Sequence, residues 1–138
     1  MQPSKAEMQF LNSYKFSLIW ALVILLLCGM NASSLPHIRF NFVFDIDKLA
    51  HFMLFGMFAF LLIESRKKFR EWQQPFSQLV FPAFLISSLY GVLIEILQAT
   101  VFTSRSFDYH DMLANAIGAA FVSTVFYYIN RRESGSSD

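Results

Sequence analysis

The sequence predicts an all-α membrane protein, with four transmembrane helices in an antiparallel bundle and both termini cytoplasmic. Three observations lead there. Hydrophobic residues make up 55% of the 138 residues and charged residues 15%, whereas soluble domains run at about 45–50% and about 25%. Four long apolar segments follow one another with little polar face. The cations gather in the stretches that would share one side of a bilayer. With 17 phenylalanines, a soluble core of this length would have too little polar surface to cover it.

Composition also narrows function. A net charge of +1 offers no broad basic face, so nucleic acid, bound through phosphate neutralisation, is not an expected partner. The single cysteine, Cys28, lies inside the first apolar run, which excludes an intrachain disulfide and suits a packed apolar thiol.

The first apolar segment is Phe16–Met30, and the second is Leu49–Ile63. Both fall short of the roughly 20 residues that cross a hydrocarbon core, but flanking residues such as Lys15, Lys48 and Arg66 can snorkel and extend them. The first could instead be a secretory signal. Met30 at the −3 position disfavours cleavage after Ala32, a cut after Ser34 is less strongly disfavoured, and "LLLC" lacks the small residue that precedes a lipoprotein cysteine. An uncleaved span is the expectation. "NASSLPHIRFNFVFDID" then forms a loop broken by Pro36, its alternating phenylalanines predicting an extended stretch at headgroup level.

"ESRKKFREW" separates the second span from the third, Leu79–Gln98, and "TVFTSRSFDYHD" leads into the fourth, Met112–Ile129. The tail 131–138, "RRESGSSD", is polar and is expected to be disordered, leaving 1–130 as a single membrane domain. With both termini inside, the cytoplasmic side carries Lys5, Lys15, Arg66, Lys67, Lys68, Arg70, Arg131 and Arg132. The outer side carries only Arg39, Lys48 and Arg105.

The polar residues inside the spans fall on stripes. Ser88, Gly91, Glu95 and Gln98 are spaced 3, 4 and 3 along the third span. Asp108, Asp111, Asn115 and Gly118 repeat that spacing at the start of the fourth, and Asp47 and His51 share a face at the start of the second. Adjacent spans are antiparallel, so all three stripes meet at one end of the bundle. The cation bias places that end outside. No matching ionisable stripe reaches the other end, which argues against a conducting pore.

These residues carry a resemblance. "DKLAHFMLFG", "EILQ" and "RSFDYHDMLANAIG" resemble the VanZ-like family of small bacterial membrane proteins, named after a teicoplanin-resistance determinant. The family pattern D-K-x-x-H, E-x-x-Q and R-x-x-D-x-x-D-x-x-x-N-x-x-G falls on Asp47, Lys48, His51, Glu95, Gln98, Arg105, Asp108, Asp111, Asn115 and Gly118. It covers roughly residues 45–122, and departs at Val122, where members often carry a small residue. The resemblance implies a bacterial cytoplasmic membrane, a link to the cell envelope and in some members to glycopeptide resistance. It supplies no reaction.

Asp47, Lys48, His51, Glu95, Gln98, Arg105, Asp108, Asp111 and Asn115 are therefore the candidate ligand-binding residues. Glu95 is expected to face Arg105, Lys48 or His51, either as a buried pair or as half of an acid–base pair with His51. Asp47 is placed to orient the His51 ring. Asn115 and Gln98 suit interhelical hydrogen bonds, and Ala114 with Gly118 suits close helix approach. His110 receives no role. Ser104 and Ser106 sit in no nucleophile motif. His51, Glu95, Asp108 and Asp111 could in principle ligate a metal, but there is no HExxH and no cysteine pair, and neither a metal nor another cofactor is assigned. The leading expectation is a pocket for the headgroup of a membrane lipid or lipid-linked cell-wall precursor. The alternatives are an enzyme acting on an amphiphile through Glu95 and His51, and a structural subunit packing against another membrane protein or a second copy.

Overall fold

The computed structural model describes residues 4–29, 46–69, 77–102 and 107–134, with 131–134 as backbone alone. Four helices account for nearly all of it: α1 (Lys5–Gly29), α2 (Ile46–Phe69), α3 (Ser77–Thr100) and α4 (Tyr109–Ser134). They have 25, 24, 24 and 26 residues, about 36–39 Å at 1.5 Å per residue, enough to cross a core of about 30 Å. All four are apolar enough to do so, and no strand occurs among the described residues. The helices outrun the apolar segments at both ends because Lys, Arg and Ser are tolerated where a helix reaches the headgroups. The predicted extended stretch around Phe40–Phe44 and the last four residues of the tail lie outside the described residues.

Ser4 begins the chain's helical course as an N-cap. Its Oγ accepts the Glu7 amide at 3.3 Å, while Glu7 Oε2 accepts the Ser4 amide, a reciprocal capping box. Pro82 lies inside α3. It removes one intrahelical donor in the first two turns, a substitution that membrane helices accommodate.

α2 is the central element, packed against each of the other three helices, most extensively α4. Its buried residues run the whole length: His51, Phe55, Gly56, Phe58, Ala59, Leu62, Ile63 and Ser65. Phe55, Phe58, Leu62 and Ile63 join Ile24 and Cys28 of α1 with Ala83 and Ile94 of α3 in the apolar core. The periphery carries Leu22, Leu26, Leu89, Leu93, Ile117 and Phe121, all well exposed. An apolar surface of this extent in water would be an aggregation liability; here it is the face presented to lipid.

The α2–α4 crossing is close because two glycines face each other across it. A Cβ on Gly118 would run into the Phe52 carbonyl and lie 3.0 Å from Phe52 Cα. One on Gly56 would lie 3.2 Å from the Gly118 oxygen and 3.1 Å from Val122 Cγ2. Val122, the departure from the family pattern, thus seats a methyl group over Gly56. On α3, Gly91 leaves room for Asn115, whose Cβ would stand 2.9 Å from a Cβ at that position.

Candidate functional site

α2 and α4 start, and α1 and α3 finish, at the same end of the bundle. Asp47, Lys48, His51, Glu95, Asp108, Asp111 and Asn115 all lie there. Four of them are deeply buried: His51 at 2% exposure, Glu95 at 1%, Asn115 at 0% and Asp111 at 6%. Buried polar groups at this density are rare even within membrane helices, which makes the satisfaction of each one informative.

His51 is held from α4. Its Nδ1 stands 3.0 Å from Asn115 Oδ1. An amide oxygen only accepts, so Nδ1 is the donor in this bond. Nε2 points to Asp111 Oδ2 at 3.8 Å, too far for a hydrogen bond. The ring lies parallel to that of Phe55, with centroids 6.3 Å apart. Asp47 is close, but the hydrogen bond that orients the ring comes across the helix interface from Asn115, where the sequence suggested a partner one turn away on α2.

Glu95 meets a main-chain donor. Its Oε2 accepts the Asp108 amide at 3.3 Å, and its Oε1 is buried with no hydrogen-bond partner. Among the described residues no cation lies within ion-pair distance of it, so neither Lys48 nor His51 forms the expected salt bridge. Arg105 lies outside the described residues. Asp108 is the N-cap of α4. Its Oδ1 accepts the His110 amide at 2.8 Å, and its own carbonyl accepts the Met112 amide at 3.3 Å. The Glu95 carboxylate therefore sits at a helix N-terminus, where unpaired amides and the helix dipole favour negative charge.

Lys48 spans the two aspartates, with Nζ 3.5 Å from Asp108 Oδ2 and 3.7 Å from Asp111 Oδ1. Asp108, outside the spans, has its carboxyl held below the ordinary aspartate range. The chief cause is the His110 amide, followed by the His110 ring and Lys48. Gln98 faces elsewhere: its Nε2 donates to the Cys28 carbonyl at 3.0 Å and fastens α3 to the end of α1.

Beside this polar cluster runs a groove of about 510 Å³ between α2 and α4. Leu49, Phe52, Leu113, Ala114 and Ile117 make its walls, with Lys48 and His110 on its rim. Apart from Ala114, read as a site of close helix approach, the sequence assigned these wall residues and His110 no role. Their only signal there was apolar character at helical spacing, which ordinary lipid-facing positions share. A second groove, about 430 Å³, lies between α3 and α4 towards the opposite end, lined by Phe81, Phe84, Ser123 and Tyr127 among others; no Asp, Glu, Lys, Arg or His lines it. Of these two, the 510 Å³ groove is the one that adjoins ionisable side chains.

A family model described as VanZ/LLP1 matches residues 2–130, and the chain belongs to that family. The match spans all four helices, so the protein is a multi-pass membrane protein of the VanZ family. No curated relative and no solved structure matches the chain.

Proposed function

We propose that this protein binds an amphiphile of the cell envelope, a lipid or lipid-linked wall precursor. The chain of the amphiphile would lie in the α2–α4 groove, with its headgroup at the polar cluster. The observation that carries this reading is the continuity of the two surfaces. Apolar walls from Leu49, Phe52, Leu113 and Ile117 end at Lys48 and His110, next to the carboxylates of Asp108 and Asp111. An acyl or prenyl chain suits the first surface, and a headgroup carrying phosphate together with amine or hydroxyl groups suits the second.

The cation bias supports both termini in the cytoplasm, so the site would open at the outer surface of the bacterial cytoplasmic membrane. That placement fits a role in the envelope and a link to teicoplanin-type glycopeptide resistance. The site is too shallow for a pore: its ionisable groups stop within the first turns of α2 and α4 and the last turns of α3.

The test is native mass spectrometry of the full chain released from mild detergent, beside Lys48→Met and Ile117→Trp. Ile117 is on the groove wall and 57% exposed, so the indole fills the groove without entering the core. The expected result is an adduct of lipid mass on the wild type, depleted in both variants. A wild type that flies bare, or an adduct equally abundant in both variants, would sink the reading.

A buried carboxylate oxygen without a donor, Glu95 Oε1, favours one further reading, acid–base catalysis on the bound amphiphile. It predicts that Glu95→Gln keeps the lipid adduct and abolishes the phenotype.

A further inference from the structure

We infer that Asp47, His51 and Asp111 form a binding site for one divalent first-row cation, Zn²⁺ or Mn²⁺. One ligand atom from each of these residues lies within 4.8 Å of the other two. Asp47 and His51 are four residues apart on α2, so both project from one face over the start of α4, where Asp111 is buried in the first turn. Metal bonds to imidazole nitrogen and carboxylate oxygen are about 2.0–2.2 Å, which places ligand atoms in a tetrahedral site roughly 3.4 Å apart. The observed spacing, within 4.8 Å, is wider than that and would have to close when an ion binds. Asp47 is exposed and on the first turn of its helix, at the rim of the site.

Proximity of acids is common without a metal, and two separate features point to a cation here. The first is the state of His51. Its Nδ1 is engaged by Asn115 at 3.0 Å, so Nε2 is the ring nitrogen that faces a carboxylate oxygen, at 3.8 Å and beyond hydrogen-bond distance. The gap between these two buried atoms is one that a shared cation would close. A ring nitrogen presented this way, with the other nitrogen donating to an amide oxygen, is the arrangement that orients metal-binding histidines. The second is Asp111 itself. Its side chain is 8% exposed, its Oδ1 accepts no hydrogen bond, and its nearest cation, Lys48, stands 3.7 Å off and is shared with Asp108. A buried carboxylate normally collects several donors, whereas here Oδ1 has only the Lys48 ammonium at 3.7 Å and Oδ2 faces His51 Nε2 at 3.8 Å.

One imidazole and two carboxylates suit zinc, manganese or iron, and calcium and magnesium less well. Three protein ligands leave at least one coordination position open, as in sites that bind a substrate oxygen. The inference stands apart from the amphiphile reading, since a cation can bind here whether or not the groove holds a lipid.

Isothermal titration of Zn²⁺ and of Mn²⁺ into the full-length protein in detergent, stripped with EDTA, tests it. The expected result is one equivalent bound by the wild type, at least tenfold weaker binding by Asp47→Asn, and none detectable in Asp111→Asn. Asp47 is exposed, so its isosteric variant keeps the fold even if changes at the buried ligands do not. Two outcomes overturn the inference. One is no stoichiometric binding of either ion by folded wild type, the result if a proton on Nε2 fills the gap. The other is affinity unchanged in both variants. A lipid adduct on metal-free protein, or its absence on metal-loaded protein, reads the amphiphile proposal separately.

Discussion

Two populations of buried polar group occupy this bundle, and they are satisfied to different degrees. Along the middle and towards the ends of α2 and α4, the polar side chains that cross between helices are mostly neutral and mostly paired. Ser17 and Ser65 share a hydrogen bond of 2.7 Å, Trp20 donates to the Leu54 carbonyl at 3.0 Å, Ser87 to Phe55 at 2.9 Å and Tyr90 to Ala21 at 2.8 Å. The groups left over among the described residues are two hydroxyls, Ser88 and Ser123, and the Nε of Arg66. At the other end the leftovers are an oxygen each of Glu95 and Asp111, and the Asn115 nitrogen. A buried hydroxyl without a hydrogen bond costs about 1–3 kcal/mol, whereas a buried carboxylate short of donors costs more. Helix-to-helix adhesion accounts for the first population and gives no reason for the second. A bundle that needed only to hold together could have used the serine and tryptophan bonds throughout.

The contrast can be broken most severely where the two populations share a support, the α2–α4 crossing. A methyl group at Gly118 meets the Phe52 backbone, which cannot move aside as a flexible side chain can. Gly118→Ala is expected to destabilise by about 1–3 kcal/mol as an overpacking change, even though alanine favours a helix. Thermal unfolding in mild detergent, read by size-exclusion chromatography, measures it. Because the crossing also positions His51 against Asn115, ligand binding should fall together with stability. A variant as stable as the wild type would show that the helices are not in contact there.

Next in size is the α4 N-cap. Asp108→Ala removes the acceptor for the His110 amide, and is expected to cost about 1 kcal/mol, in the range of other N-cap losses. The same carboxyl gives the pH dependence a sign. Its folded pKa lies below the unfolded value of about 3.9. Its stabilisation is therefore fully present above that value and is lost as pH falls through the folded pKa. Melting in acid should show no change in this group's contribution between pH 7 and 5, and a loss only below about pH 4 that Asp108→Asn abolishes. Since the carboxyl is 39% exposed, solvent screening keeps this increment small.

Smaller again are the adhesive bonds. Ser87→Ala and Trp20→Phe should each cost about 0.6 kcal/mol, the average for interhelical hydrogen bonds in a membrane, and leave metal and lipid binding unaltered. A change of binding in either variant would erase the distinction between the two populations.

Much of this organisation was legible in the sequence, because helical periodicity records which side chains share a face. The four spans, the meeting of three stripes at one end, and the burial of His51, Glu95, Asp111 and Asn115 all follow from spacing. Three details do not. Counting back from Glu95 by two turns reaches Ser88 or Ser87 equally well, and the fully buried serine is Ser87. The partner of Glu95 is a backbone amide at the start of another helix, and the identity of a side chain says nothing of main-chain donors. Asn115, and not Asp47, orients His51 because the choice depends on how closely α2 and α4 approach, which Gly56 and Gly118 set. The grouping of Asp47, His51 and Asp111 was hidden for the same reason, since no contiguous motif links them.

The smallest stability effect belongs to the most consequential substitution, Glu95→Gln. If Glu95 served as one half of a buried ion pair, losing its charge would strand the partner and cost about 3–5 kcal/mol. Here its recorded hydrogen bond is the Asp108 amide, which a glutamine oxygen accepts equally well, and its other oxygen has no donor to lose. Glutamine removes a costly buried charge and keeps the shape, so unfolding in detergent should shift by less than about 1 kcal/mol, in the stabilising direction. A carboxylate that the fold would be as stable without is retained for something other than folding. The substitution should accordingly leave the bundle intact while impairing envelope function. A large loss of stability would instead return Glu95 to the adhesive population, with a partner supplied from the loop that carries Arg105.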